Sequence, residues 1–153
     1  MIFEESIRTP AKQAMVDVTS TIRRFVAASG MTDGHIVVSV PHTTAALTIN
    51  ENADPSVVSD MLRRLEQAFP TYDPNDRHAE GNSAAHVKSS LLGSCHTFIV
   101  ANGDLVLGTW QGIYLAEFDG PRRRRVLVKV LPDPGARFDT DARVTPANGL
   151  AWR

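Results

Sequence analysis

Two short stretches of the sequence concentrate side chains whose types could support catalysis or metal binding. The first, HAEGNSAAHVKSSLLG, brings together His78, Glu80, Asn82, His86 and Lys88 around a predicted helix start. A helix dipole disfavours a charged imidazole there, and a neutral imidazole can bind a metal ion or accept a proton. These residues therefore suit a metal site or proton transfer, although a polar loop with a capping network would show the same spacing.

The second stretch, PHTTAALTINENADP, follows a strongly apolar segment and contributes His42, Thr43, Thr44, Glu51 and Asn52. A histidine at the end of a buried strand can reach a pocket, and the two threonines add hydroxyl groups. A histidine satisfied at a sheet edge is the alternative for His42. Glu51 could hold a divalent cation through its carboxylate and water. Because functional side chains collect on loops held by a rigid scaffold, the two stretches together predict a site.

Three further charged positions have both a structural and a functional interpretation. Glu117 would share a strand face with Ile113 and Leu115, so it needs either a charged partner or a functional shift of its pKa. Lys88 could bind a phosphate as a point charge, but a solvated helix lysine is favoured. Arg122 begins a run of four arginines, of which a strand turns at most two to one face. An anion site and a solvated strand edge are the alternatives there, and the edge is favoured.

Length, charge and cysteine content limit the class of protein. The 153 residues are 42% hydrophobic, which suits a single domain with a core. The net charge of -1 argues against nucleic acid and acidic membranes as partners. The chain has neither a signal-peptide pattern nor an apolar run of about 20 residues, so we expect neither export nor a membrane span. The single cysteine, Cys95, is expected to be a small packing residue in a cytoplasmic protein.

The first third of the chain predicts strands around one helix. Weak alternation over residues 2–9 and 13–19 predicts an amino-terminal hairpin. Helical spacing of apolar residues predicts a helix over 21–29. The β-branched run at 35–40 predicts a strand buried on both faces, and alternation at 45–50 predicts the next strand.

The rest of the chain predicts two helices and then four strands. Asp54 and Pro55 are typical of a helix start, because the carboxylate caps free N–H groups and proline suits the first helical position. The side chains expected on the buried face of this helix are Val58, Met61, Leu62, Leu65 and Phe69. Ser83 is expected to cap a short helix that ends at Leu92. Strand patterns separated by turn residues then fill 96–131.

This order of elements predicts an α+β domain with a mostly antiparallel or mixed β-sandwich and about three helices. The domain would span residues 1–131. Residues 132–153 contain many helix and strand breakers and no periodicity. We expect them to form an extension that is flexible or docked on a neighbouring chain.

Three motifs, HTTAALTINENADPSVVSDM, EGNSAAHVKSSLLG and GTWQGIYLAEFDGPRRRRV, resemble in order and spacing the YjbQ-like family, also called the secondary thiamine-phosphate synthase family. The resemblance covers roughly residues 1–131. It implies a β-sandwich folded on itself and a homotrimer with a polar pocket near the interface between subunits.

The resemblance and the residue patterns together define the expected site. The positions carried over by motif are His42, Glu51, Asn52, Glu80, His86, Lys88, Gln111 and Glu117. The expected catalytic residues are His42, Glu51, Glu80, His86 and Glu117. The expected substrate contacts are Thr43, Thr44, Asn52, Asn82, Lys88, Gln111 and Arg122. His78 would join His42 and His86 if a metal is bound.

Three functions compete at this stage. The resemblance implies a synthase that joins hydroxymethylpyrimidine diphosphate to thiazole phosphate and releases pyrophosphate. A metal-dependent hydrolase would instead use His42, His78 and His86 to bind a divalent ion such as zinc, manganese or magnesium. A non-catalytic binder would hold a small anionic or phosphorylated metabolite.

Overall fold

The computed structural model describes residues 1–136, so most of the expected C-terminal extension, at 137–153, lies outside the described residues. The strands are β1 (Ile2–Arg8), β2 (Ala14–Asp17), β3 (Gly34–Ser39), β4 (Ala45–Glu51), β5 (Cys95–Ala101), β6 (Asp104–Leu105), β7 (Gln111–Glu117) and β8 (Arg123–Pro132). The helices are α1 (Thr19–Ser29), α2 (Pro55–Ala68) and α3 (Ser83–Leu92). Within this part of the chain no helix is long and apolar enough to cross a membrane.

The strands form two antiparallel sheets. The larger sheet has the order β1-β8-β3-β5-β6, and the smaller sheet has the order β2-β7-β4. Together with the three helices they make the α+β fold that the order of elements predicts. The turn between β5 and β6 places Asn102 and Gly103 at positive φ, as a tight hairpin requires.

The main core lies between the two sheets and is closed by α1. Alternate residues of β8, such as Val126 and Val128, face Leu115 of β7 in this core. From α1, Phe25 and Val26 pack against the same cluster because they share one face of the helix. The alternation and the helical spacing seen in the sequence thus correspond to real buried faces.

A second, smaller cluster lies on the other face of the small sheet and positions α3. Ala46 and Ala116 of the sheet contact Ala85 of α3, and Phe118 completes the cluster. Small side chains on both surfaces allow the helix to approach the strands closely. The Ser89 hydroxyl also donates to the carbonyl of Ala45 at 2.8 Å. The orientation of α3 relative to β4 is therefore fixed by packing and by a buried hydrogen bond.

The predicted amino-terminal hairpin is wrong. Strand β1 pairs with β8 in the large sheet, whereas β2 pairs with β7 in the small one. Alternation identifies a strand but not its partner, and the segment around Pro10 carries the chain from one sheet to the other. The strand expected to be buried on both faces, β3, buries Ile36 and Val38 on one face but leaves His35 exposed on the other.

Helix α2 begins as predicted, but its apolar face is less covered than expected. The Asp54 carboxylate accepts a hydrogen bond from the Ser56 backbone N–H at 2.8 Å. The side chains expected to be buried, from Val58 to Phe69, are only half-buried in the single chain. Two other expectations are also corrected, because Asn82 and not Ser83 precedes the first residue of α3, and Cys95 is exposed on β5.

One buried ion pair connects the two sheets near the ends of β7 and β8. Glu117 is fully buried, and its carboxylate accepts hydrogen bonds from Arg124 Nε at 2.7 Å and Nη2 at 2.5 Å. Thr9 and the backbone N–H groups of Phe118 and Asp119 complete its shell. Burial by itself would raise the pKa of Glu117, but the hydrogen bonds outweigh it and lower the pKa, so the carboxylate is ionised.

We expect Glu117→Gln to lower the free energy of unfolding by about 3–5 kcal/mol, because it leaves the Arg124 guanidinium buried without a counter-charge. Urea unfolding followed by circular dichroism measures the change. The matched control is Glu4→Gln, which removes the exposed partner of Arg125 on the same strand and should have a far smaller effect. Equal losses in the two variants would contradict a special role for the buried pair.

Candidate active site

An open polar cleft of about 370 Å³ lies where the amino end of α3 meets the turn between β7 and β8. Its volume is within the usual range for small-molecule sites, about 300–1,000 Å³. The residues that line it are Thr43, Thr44, His78, Glu80, Asn82, His86, Asp119, Arg122 and Arg124. Seven of these nine are among the expected site residues, so the two sequence stretches do meet in space.

Three pieces of backbone bring these side chains together, and one of them is the β7–β8 turn with the start of β8, which carries Asp119, Arg122 and Arg124. Thr43 and Thr44 come directly before β4, and His78, Glu80 and Asn82 lie in the loop that leads into α3. The packing of α3 against the small sheet then holds the first turn of the helix over the start of β4. The cleft is therefore built on the ends of rigid elements.

The two cleft histidines contact one another. The rings of His78 and His86 have centroids 5.3 Å apart and are nearly perpendicular, at 82°. His86 is in the first turn of α3, whereas His78 belongs to the exposed loop. Two imidazoles in contact beside a helix amino terminus can hold an anion or transfer a proton.

Asn82 lines the cleft and is hydrogen-bonded to its two acidic residues, Asp119 and Glu80. Its side-chain amide donates to Asp119 Oδ2 at 3.0 Å and to Glu80 Oε2 at 3.3 Å. Its carbonyl oxygen, Oδ1, is buried and has no hydrogen-bond partner among residues 1–136. Such an atom costs about 1–3 kcal/mol relative to a satisfied one, so it marks a place where a ligand donor would be stabilising.

Arg122 and Asp119 form the pair at the mouth of the cleft. Arg122 Nη2 is 2.7 Å from Asp119 Oδ2, and its Nε donates to the Asp119 backbone carbonyl. Partial burial would raise the pKa of Asp119, but hydrogen bonds from Asn82 and Arg122 lower it below its usual value. The Arg122 side chain is still 52% exposed, so its guanidinium can also contact a bound anion.

Arg124 forms the floor of the cleft. Its Nη2 donates to Thr44 Oγ1 at 2.9 Å in addition to Glu117. For Arg124 the favoured interpretation of a solvated strand edge is wrong, because β8 lies inside the sheet and turns this arginine inward, whereas Arg123 and Arg125 are exposed. Glu117 has a structural partner in this arginine and stands behind the floor instead of lining the cleft.

His42 is close to this floor but is not part of the cleft lining. Its Nε2 accepts a hydrogen bond from the Arg125 backbone N–H at 2.8 Å, which places the ring proton on Nδ1. Burial, and next the charge of Arg124, lower the pKa of His42, so the ring is neutral. Among the described residues no three His, Cys, Asp or Glu side chains are arranged to hold a metal ion, so His42, His78 and His86 do not form a ready site.

Lys88 is neither solvated nor part of the cleft. Only 1% of it is exposed, and its ammonium donates to Glu66 of α2 at 2.6 Å and to Gln13 at 3.2 Å. It lies two residues after His86 and so points to a different side of α3. Glu66 also accepts from the backbone and hydroxyl of Thr71, so this network ties α2, α3 and the following loop together.

Three expected site residues lie at the opposite end of β4. Glu51 is paired in register with Gln111, and Asn52 contacts Asp17 and the hydroxyl of Tyr114. A seven-residue strand separates them from the cleft, a distance of roughly 20 Å at about 3.3 Å per residue. Glu51, Asn52 and Gln111 therefore do not reach the cleft of their own chain.

Two residues of the cleft were not expected, Asp119 and Arg124. Asp119 lies among the turn residues that separate the predicted strands of 96–131. A signal for Arg124 exists in the sequence, since it shares the alternation of Val126, Val128 and Val130 and so belongs to the inward face of β8. A charged residue in that register requires a buried partner, and Glu117 is the carboxylate for which the sequence predicts either a charged partner or a shifted pKa.

Comparisons with known proteins identify a matching family model and several similar proteins. The family model described as UPF0047 protein YjbQ-like matches residues 4–133. The UPF0047 protein YugU of Bacillus subtilis is 50% identical over 125 residues, which cover 82% of this chain and 95% of that protein. A UPF0047 protein of Methanocaldococcus jannaschii is 50% identical over 133 residues, which cover 87% and 96%.

Solved structures agree with the fold. A crystal structure of a yjbQ/UPF0047 family protein from Clostridium acetobutylicum has a TM-score of 0.82 at 50% identity and covers 84% of this chain and 99% of that one. A YbjQ-like protein of unknown function from Sulfolobus solfataricus has a TM-score of 0.83 at 31% identity and covers 87% and 97%. The arrangement of two sheets and three helices is therefore common to these relatives.

The Glu66 network predicts a specific loss of stability in acid. Burial would raise the pKa of Glu66, but hydrogen bonds from Lys88, Thr71 and Gln13 outweigh it and lower the pKa to about 2. A carboxyl with a depressed pKa stabilises the fold above its unfolded-state pKa, and this contribution is lost as the pH falls toward 2. We expect Glu66→Gln to flatten the fall in unfolding free energy between about pH 5 and pH 2.

Urea unfolding at a series of pH values measures this slope. Asp60→Asn is the matched control, because it removes a carboxylate from the exposed face of the same helix. Parallel pH profiles for Glu66→Gln and the wild type would contradict the assignment of the acid sensitivity to this network.

Proposed function

From the premise that the chain belongs to the UPF0047 YjbQ-like family, we propose that it is a transferase of the thiamine-phosphate synthase type with its active site in the polar cleft. The observation that carries the proposal is the meeting of Arg122, Arg124, His78 and His86 at the amino end of α3. Guanidinium groups, imidazoles and a helix amino terminus are the groups that bind phosphate in proteins.

The reaction would join hydroxymethylpyrimidine diphosphate to a thiazole phosphate. The bond between the pyrimidine methylene carbon and the diphosphate oxygen breaks, the thiazole nitrogen forms the new bond to that carbon, and pyrophosphate leaves. Negative charge develops on the leaving group and positive charge on the pyrimidine. Preorganised groups of opposite sign can stabilise both charges, so the demand on the protein is mainly electrostatic.

The cleft offers a group for each task. Arg122 at the mouth and the first turn of α3 would hold the diphosphate, while His86 and His78 would supply a proton to it as it leaves. The Glu80 carboxylate, on the exposed loop, would stabilise the developing positive charge of the pyrimidine. Thr43 and Thr44 would add hydroxyl contacts to the phosphate oxygens.

We propose that a divalent cation takes part by entering with the diphosphate. Magnesium is usually held by one or two carboxylates together with substrate phosphates, and Asp119, which is paired with Arg122 at the mouth of the cleft, is the carboxylate on the phosphate side. Such an ion would add positive charge beside the leaving group. Manganese or zinc could occupy the same carboxylate with different affinity.

We also propose that the protein is a cytoplasmic homotrimer. The half-buried apolar side of α2 and the exposed pair Val87 and Leu91, one turn apart on α3, are surfaces that a second chain would cover. A neighbouring subunit would also offer a route for Glu51 to approach a cleft that it cannot reach within its own chain. The single free cysteine, Cys95, suits a reducing compartment.

The synthase assay supplies both substrates with magnesium and measures thiamine phosphate and pyrophosphate together. We expect equal amounts of the two products from the wild type and no turnover without a divalent ion. Arg122→Ala and His86→Ala should each lower kcat/KM by about 10- to 1,000-fold, as expected for lost electrostatic or proton-transfer groups.

Arg23→Ala is the matched control for the arginine variant. Arg23 is a similarly exposed arginine with one carboxylate partner, Asp104, and it lies on α1 outside the cleft. It should retain wild-type kcat/KM. If Arg122→Ala and His86→Ala retained it as well, the cleft would not be the site of the reaction.

The proposed assembly predicts a solution mass about three times the 16.7 kDa of one chain. Size-exclusion chromatography with multi-angle light scattering over a dilution series measures it. A mass that stays at one chain at micromolar concentration would contradict the trimer and any role for Glu51 at the cleft.

A further inference from the structure

The most unusual atom in the cleft is the carbonyl oxygen of Asn82. Only 8% of Asn82 is exposed, and its Oδ1 is the buried side-chain atom without a hydrogen-bond partner among residues 1–136. The residue also precedes the first residue of α3, yet its side chain does not cap the helix. The usual structural use of an asparagine at this position is therefore absent.

The orientation of the Asn82 amide is set by its neighbours. Its Nδ2 donates to the carboxylates of Asp119 and Glu80, and Asp119 is itself held by Arg122. Rotating the amide by half a turn would place Oδ1 against both carboxylates and leave two negative groups facing an acceptor. Oδ1 is consequently fixed as an acceptor in the cleft wall.

We propose that Asn82 Oδ1 and Glu80 together recognise a primary amino group of the ligand, which on the proposed function is the exocyclic amine of the pyrimidine. This inference rests on that function for the identity of the ligand. A primary amine carries two hydrogens, one for Oδ1 and one for the Glu80 carboxylate. Both protein groups are acceptors only, so they reject a ligand that presents a carbonyl oxygen at the same place.

The two sides of the cleft differ in charge and in hydrogen-bonding character, so a ligand that fits both has two different ends. Asn82 and Glu80 form the acceptor side, whereas Arg122, His78 and His86 form the side that attracts an anion. A small heterocycle with an amino group at one end and a phosphate at the other satisfies both. A free anion such as pyrophosphate would satisfy only the second side, so it should bind less tightly than the whole ligand.

The test compares two matched probes by isothermal titration calorimetry. One is hydroxymethylpyrimidine monophosphate, and the other is its analogue in which a ring carbonyl replaces the exocyclic amino group. We expect the wild type to bind the amino probe about 10- to 100-fold more tightly, because the carbonyl probe leaves the buried Asn82 Oδ1 unpaired and places a second acceptor against it. This comparison needs no variant, so it stands even if a substitution at Asn82 impairs folding.

Two variants assign the preference to the amide. Asn82→Ala should reduce the ratio of the two dissociation constants toward unity, with circular dichroism confirming the fold. Asn75→Ala, which removes an exposed asparagine of the same loop outside the cleft lining, should leave the ratio unchanged. Retention of the preference in Asn82→Ala would overturn the inference.

The outcomes separate this inference from the proposed reaction. Equal affinity of the wild type for the two probes overturns the role of Asn82 but leaves a phosphate-binding cleft. A preference that depends on Asn82, without synthase turnover, supports amine recognition and overturns the synthase. Absence of binding by both probes overturns amine recognition as well as the synthase.

Discussion

The buried ion pair between Arg124 and Glu117 is the constraint on which the cleft depends. It connects the two sheets at the end where the turn between β7 and β8 emerges, and Thr9 and Thr44 are bound into the same network. A pair of buried charges is stabilising only when its geometry is good and its other polar atoms are satisfied. Asp119 and Arg122 lie in the turn that this pair holds between β7 and β8, so the position of the cleft mouth is set by the fold itself.

Much of the fold follows from local patterns in the sequence. The alternation of Val126 and Val128, the helical spacing of Phe25 and Val26, and the Asp54 cap all correspond to observed elements. What local patterns do not contain is the identity of a strand's partner, which depends on contacts between distant residues. The wrongly predicted hairpin at the amino terminus has this origin, because β1 and β2 alternate alike but pair with β8 and β7.

The cleft was predictable where proximity in the chain implies proximity in space. His78, Glu80, Asn82 and His86 belong to one loop and one helical turn, and they meet as expected. Lys88 could not be assigned in this way, because its burial depends on Glu66, a residue of another helix 22 positions away. Glu51 is the reverse case. It belongs to the same motif as Thr43 and Thr44, but β4 places it at the opposite end of the sheet.

The loop between α2 and α3 is held to the rest of the domain at both ends and is exposed between them. Thr71 is bound to Glu66 at its start and Asn82 to Asp119 at its end, while residues 72–80 are exposed. Arg124, which forms the floor of the cleft, belongs to the buried core. The loop forms one wall of the cleft and contributes little to that core. The exposed loop side chains of the cleft are therefore separate from the buried Glu117–Arg124 pair that maintains the fold. Substitutions along this span would change the lining of the cleft with little effect on the stability of the domain beneath it.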